Sequence, residues 1–202
     1  MLNFSHQSGM KTLAAATILL ALSACGGASD DSNGNNNMNQ LSRDVYPAAP
    51  YGKDETSVID NLAFKNTDET EFKLEEIFAD EGNKLLLIST SAGWCTSCIE
   101  EQKKLQARHD QFSDKGLYIL LATFEDAGQQ PATPEYAKEW QERFNLSYKV
   151  VADEPFLFQE YYDRDATPMV MLVDVDTMQI LKIMTGFDES VVDAIIDAKL
   201  GS

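Results

Sequence analysis

Cysteine, histidine and positive charge are all scarce in this sequence. Its three cysteines (Cys25, Cys95, Cys98) and two histidines (His6, His109) offer little to a soft metal, and a structural zinc takes about four such ligands. Only 16 Lys and Arg stand against 33 Asp and Glu, for a net charge of -17. A chain this acidic is a poor nucleic-acid binder and is repelled by anionic lipid headgroups. It also lacks a D-x-D-x-D-G loop that would turn the acid excess toward calcium, so the charge reads as solubility. There is no internal repeat, and no apolar run approaches the ~20 residues of a spanning helix.

What apolar run there is comes early. Residues 1–24 contain no acid and place Lys11 ahead of LAAATILLALSA (13–24), which ends on small residues before Cys25. This is the layout of a signal peptide. The stretch LSAC (22–25) resembles the lipobox of bacterial lipoproteins, which implies a diacylated Cys25, cleavage before it and a bilayer anchor. Ordinary secretory cleavage after Ala24 is the alternative, which Leu22 suits poorly. Gly26 after the cysteine suits outer-membrane sorting by the enterobacterial rule. Next comes GGASDDSNGNNNMNQLSRD, nearly free of apolar residues, which cannot offset its own ordering entropy. It reads as a tether of about 25 residues with a reach on the order of 25 to 30 Å. The expected organisation is a signal peptide over 1–24, a tether over 25–49 and one domain over 50–202.

Within that domain the pattern alternates. KLLLIST (84–90) and GLYILLATF (116–124) are continuous apolar runs of strand length, as expected for strands covered on both faces. Between them, Thr96 to about Ser113 suits a helix with Cys98, Leu105, His109 and Phe112 along one face. Thr133 and Pro134 are N-cap and first-turn residues for a second helix carrying Tyr136, Trp140 and Phe144. SYKVVAD predicts a third strand, PFLFQEYY a short helix, and PMVMLVD (168–174) and QILKIMTGF (179–187) a hairpin turning at VDTM. ESVVDAIIDAKL predicts a closing amphipathic helix. The fold class expected is therefore α/β, a mixed sheet with helices on both faces.

The chemistry concentrates in SAGWCTSCIEEQ (91–102). If Cys25 carries lipid, Cys95 and Cys98 are the only thiols of an exported protein, able to pair with each other or with another molecule. A cysteine just ahead of a helix meets unpaired N–H groups and the positive end of the dipole, which favour its thiolate. Cys95 is thus the expected nucleophile. Cys98, one turn inside and more sheltered, is placed to resolve a mixed disulfide. A purely structural disulfide is the competing reading, but so small a ring removes little unfolded-chain entropy. A zinc half-site is another, with only His109 left to help. No metal and no cofactor are expected. Trp94 either covers the pair or serves as a core aromatic at the strand end.

The order of elements, W-C-x-x-C at the end of the first buried strand, and T-P opening the hairpin strand (ATPMVMLVD) together resemble the thioredoxin-like fold. The branch it is most similar to is the membrane-tethered TlpA/ResA-like group, which also tends to carry an N-terminal extension such as SVIDNLAFKNTDETEFKLEEIF (57–78). The resemblance covers roughly residues 50–202. Two departures stand out: Ser89 replaces the buried Asp of cytosolic thioredoxins, and the intervening TS matches neither GP nor PH.

The resemblance implies that Glu101, in C-x-x-C-x-x-E, exchanges protons with the cysteines and compensates for Ser89. The plainer reading is that Glu100 and Glu101 both favour the helix N-terminus. It further implies a cis Thr167-Pro168 bond beside the dithiol, with the preceding backbone free to pair with a client and Thr167 touching the sulfurs. Met169 and Met171 alternate along a strand as packing residues. The activity implied is thiol-disulfide exchange on exported proteins, apocytochrome c among the candidates, with an upstream thiol redox partner. Alternatives are a thiol peroxidase, against which stands the absence of P-x-x-x-T-x-x-C, and a non-catalytic copper-carrying or interaction lipoprotein.

Overall fold

The computed structural model describes residues 43–201. The expected signal peptide, Cys25 with its expected lipid, and most of the expected tether therefore lie outside the described residues. Among those described, no helix is long and apolar enough to cross a membrane.

Seven strands form one sheet. An N-terminal hairpin, β1 (Ala63–Asn66) and β2 (Glu71–Lys73), leads into α1 (Leu74–Ala79). Then come β3 (Leu85–Ala92), α2 (Thr96–Phe112), β4 (Leu117–Glu125), α3 (Pro134–Arg143) and β5 (Lys149–Ala152). The hairpin β6 (Met169–Asp174) and β7 (Gln179–Thr185) and the helix α4 (Glu189–Leu200) close the chain. The strand order is β2-β1-β5-β4-β3-β6-β7. β3, β4 and β5 are parallel, and the strands next to them, β1 and β6, run antiparallel to them, so the sheet is mixed, as the sequence predicts.

Period-two alternation divides the core between the two faces. Leu86, Ile88, Leu120, Ala122, Val151 and Met171 pack with Leu74, Ile77 and Phe78 of α1. Leu85, Leu87, Ile119, Leu121, Val150 and Leu172 pack with Leu105 and Phe112 of α2, Trp140 of α3, and Val192 and Ile196 of α4. Both faces of β3 are thus dry, and all eight of its residues are buried. Burial on two faces explains why this strand is a continuous apolar run and not an alternating one.

Helix ends follow local chemistry. Thr133 Oγ1 accepts the Tyr136 N–H ahead of Pro134, and Asp188 accepts from Ser190 and Val191 at the start of α4. Gly116, at φ 104° after α2, makes the left-handed turn into β4.

PFLFQEYY, expected as a short helix, forms a 3-10 helix over Leu157–Glu160, and the buried Asp153 carboxylate accepts the N–H groups of Leu157 and Phe158 at its start. The described contacts also begin before residue 50: Arg43 donates to the carbonyls of Asp80 and Asn83 at 2.9 and 2.8 Å and pairs with Asp176.

Candidate active site

The loop from β3 to α2 carries the dithiol to the carboxyl ends of the parallel strands. Gly93 makes this path possible, because a Cβ there would collide with the Tyr136 hydroxyl and with the backbone of Asp126 and Ala127. Gly93 N–H donates to the Glu125 carbonyl at 2.9 Å, which stitches the loop to the end of β4.

Cys95 is the N-cap of α2, and its Sγ accepts the Cys98 N–H at 3.1 Å. Cys95 and Cys98 are joined in a disulfide. Cys98 is 1 % exposed and Cys95 5 %. Ala92 and Phe124 pack against the pair in a small apolar cluster, with Phe156 beside it. Sulfur at a helix N-terminus in apolar surroundings places N–H donors where negative charge on Cys95 would be held.

The Thr167-Pro168 bond is cis, in agreement with the thioredoxin-like resemblance. The Thr167 carbonyl oxygen lies 3.9 Å from Cys95 Sγ. Thr167 Oγ1 is 2.9 Å from the Tyr162 hydroxyl. Met169 N–H donates to Thr90 Oγ1 of β3, and Gly186 N–H to the Pro168 carbonyl, so this segment is tied down on both sides.

Glu101 sits one turn beyond Cys98 on the same helix face and is 2 % exposed. Burial pushes its carboxyl up to about 8, opposed in part by Ser89 and by the Lys104 ammonium. Among the described residues neither Ser89 Oγ nor either Glu101 oxygen makes a hydrogen bond of normal geometry, and both residues are buried. Glu100, by contrast, is exposed.

Next to Glu101, Gln102 Nε2 donates to the Cys98 carbonyl at 2.6 Å, and the Tyr148 hydroxyl donates to Gln102 Oε1 at 2.8 Å. Burial, with Glu101 nearby, raises the Tyr148 phenol above its usual range. This chain connects the segment before β5 to the first turn of α2.

Trp94 is 37 % exposed. Its Nε1 donates to Glu125 Oε2 at 2.8 Å, and its ring meets Phe124 edge-on at 6.3 Å. It is a rim residue and not a core aromatic. His109 lies further along α2, edge-on to Tyr148, away from the disulfide. Among the described residues no group of three or more His, Cys, Asp or Glu could hold a metal.

The structure therefore brings together Trp94, Cys95, Cys98, Thr167 and Pro168, with Glu101 buried beneath. Sequence reasoning missed Gly93, Phe124, Glu125, Phe156 and Tyr162. Glu125 carried one legible signal, a charge ending an otherwise apolar strand. The others sit in loops or dry strands where only the tertiary fold gives them meaning.

Several solved structures share this architecture. A thiol:disulfide interchange protein from Bacteroides sp. aligns with a TM-score of 0.58 at 16 % identity, over 74 % of this chain and 91 % of its own. The thioredoxin domain of a thiol-disulfide oxidoreductase from Bacteroides vulgatus gives 0.57 at 18 %, over 72 % and 99 %. A secreted thiol-disulfide isomerase from Corynebacterium glutamicum gives 0.57 at 16 %, over 77 % and 95 %. At such identities the likeness is one of fold, the thioredoxin-like fold. No curated protein matches the sequence. Residues 57–180, more than half of the chain, match the AhpC/TSA family, and with the dithiol and the cis proline inside that span the chain belongs to the AhpC/TSA family.

Proposed function

We propose that the protein is a thiol-disulfide oxidoreductase of the bacterial cell envelope, acting on disulfides or dithiols of other exported proteins through Cys95 and Cys98. The observation that carries this reading is the Cys95–Cys98 disulfide at the N-terminus of α2, 3.9 Å from the carbonyl that precedes a cis proline.

In the reducing direction the Cys95 thiolate attacks one sulfur of a client disulfide. A Cys95–client mixed disulfide forms, and the other client sulfur leaves as thiolate and takes up a proton. Cys98 then loses its proton and attacks Cys95 Sγ, which forms the Cys95–Cys98 disulfide and releases the second client thiol. The client gains two electrons and two protons, and an upstream dithiol donor restores the pair. The oxidising direction is the same sequence reversed. Glu101, protonated at neutral pH and one turn from Cys98, is the group we assign to give a proton to the Cys98 thiolate when the Cys95–Cys98 disulfide opens and, as the carboxylate so formed, to take it back when the disulfide closes again. Trp94 and the Thr167-Pro168 segment are assigned to the client, the latter offering backbone to an extended chain.

The envelope location and the anchor rest on residues 13–25, whose apolar run and LSAC stretch suit a lipidated Cys25 in the outer membrane. The domain limits proposed remain residues 1–24 as signal peptide, a tether after it and one folded domain. Reduction of insulin disulfides with dithiothreitol as electron donor tests the activity: turnover is expected for the wild type and its loss for Cys95→Ser. A wild type that turns over peroxide but not insulin would replace this reading with a thiol peroxidase, and one inert toward both with a binding lipoprotein.

A further inference from the structure

We propose that Glu125 is a positioning residue that fixes the spacing of the two segments bordering the disulfide, and so determines how well a polypeptide client is held. The proposal rests on the exchange reading above.

A single carboxylate oxygen does the tying. Glu125 Oε2 accepts from Trp94 Nε1 at 2.8 Å and from Arg164 Nη2 at 2.7 Å, across 31 and 39 residues of sequence. Its own backbone carbonyl accepts the Gly93 N–H at 2.9 Å. Trp94 immediately precedes Cys95. Arg164 opens the 3-10 turn Arg164–Ala166, which runs straight into Thr167 and Pro168. One strand end therefore holds both the nucleophile loop and the cis-proline segment.

The chemistry favours a latch over an incidental surface pair. The Glu125 side chain is mostly covered whereas that of Arg164 is half exposed. A largely buried carboxylate is costly unless it has donors, and here it has two, one cationic. Trp94 is further fixed edge-on against Phe124, itself packed against the disulfide. On the other wall Tyr162 links Thr167 to Phe156, which stacks on Phe124 with centroids 4.4 Å apart. Beneath the rim the aromatic packing is continuous, whereas above it Glu125 is the bridge.

A small aromatic disulfide needs access to the sulfur alone, while an extended polypeptide touches both walls at once. Loosening the latch should therefore penalise the polypeptide selectively. The test compares the second-order rate constants with which pre-reduced protein, freed of dithiothreitol, reacts with insulin and with 5,5'-dithiobis(2-nitrobenzoate), in wild type, Glu125→Gln, Glu125→Ala and Arg164→Ala. The ratio of the rate constant for the small disulfide to that for insulin is expected to rise roughly three- to tenfold in Glu125→Ala and Arg164→Ala, the scale of one charge-assisted hydrogen bond at a partly exposed site. Glu125→Gln, which keeps an acceptor for Trp94 but loses the charge facing Arg164, is expected to fall between. A ratio that stays at the wild-type value while Tm drops would show a merely structural role and overturn the proposal. Should Glu125→Ala fail to fold, Arg164→Ala decides alone, since its side chain is half exposed. A wild type inert toward both disulfides overturns the exchange reading itself, and the latch with it.

Discussion

Glu101 and Cys98 lie one turn apart on the same face of α2, both buried, and among the described residues neither Glu101 oxygen has a hydrogen-bond partner of normal geometry. A carboxylate so placed is expensive when ionised, since Ser89 and the Lys104 ammonium offset only part of the hydration it lost. The protein keeps the acid nonetheless, with its pKa pushed by burial up to about 8, and so holds a proton at neutral pH beside the inner thiol. Such an arrangement is costly for stability and useful for proton transfer.

That cost has a sign in pH. The folded carboxyl titrates near 8 and the unfolded one near its ordinary 4.5, so between those values the folded state holds a proton that the unfolded state has lost. Its contribution is fully present below about 4.5, falls as pH rises through the window, and is gone above about 8. Glu101→Gln is expected to flatten this slope and to raise stability at pH 8 by on the order of a few kcal/mol. Urea unfolding of the oxidised protein from pH 5 to 8.5 measures it. The same variant is expected to slow exchange and shift the pH profile of cysteine alkylation, while Glu100→Gln, at an exposed position, leaves both near wild type. The reverse pattern would remove Glu101 from the mechanism.

How much of this was legible before the fold was known depended on the range of the interaction. β3, α2, β4, α3 and α4 announce themselves by apolar runs, helical spacing and the Thr133 cap, all local signals. The hairpin of β1 and β2 does not, because strands of four and three residues are too short for alternation to register, and the sequence shows only an extension there. The short helix expected after β5 is found as a 3-10 helix, Leu157–Glu160, whose entry through Phe156 at φ 56° no local pattern reveals. At the site, the roles expected of Cys95 and Cys98 follow from their places at the start of a helix, whereas the role of Glu101 and the cis Thr167-Pro168 bond come from family resemblance. The role of Trp94 stayed open in sequence because its partner, Glu125, is 31 residues away.

Gly93 is expected to tolerate no side chain. In Gly93→Ala the new methyl meets backbone atoms of Asp126 and Ala127, which cannot move aside as a flexible side chain could. The β3–α2 loop would shift and carry Cys95 with it. A loss of about 1 to 3 kcal/mol, the usual size for overpacking, together with reduced insulin turnover, is the expected outcome. Wild-type values in thermal unfolding and in the insulin assay would show that the loop has slack.

The anchor is tested at Cys25. Nothing else in the sequence is apolar enough to hold the protein at a bilayer, and its net charge of -17 opposes binding to anionic headgroups. Cys25→Ser is expected to move the protein from the membrane pellet to the soluble envelope fraction, with insulin turnover by the purified domain kept. Continued sedimentation with membranes would rule out the lipid as the anchor.

The division of labour between the two cysteines is tested by trapping. After Cys95 has attacked a client, only Cys98, buried one turn inside α2, is positioned to break the mixed disulfide from within. Cys98→Ser should therefore accumulate covalent complexes in the envelope, visible as high-mass species on non-reducing gels that collapse on reduction. Cys95→Ser should trap few, because the remaining thiol is 1 % exposed and meets no client directly. Mass spectrometry of the trapped partners would also give the direction of electron flow. Apocytochromes with their cysteines prepared for haem would make the protein a reductase, whereas newly exported proteins rich in cysteine would make it an oxidase or isomerase. Equal trapping by both variants would mean that Cys98 is reachable, and the assignment of nucleophile and resolving thiol would have to be abandoned.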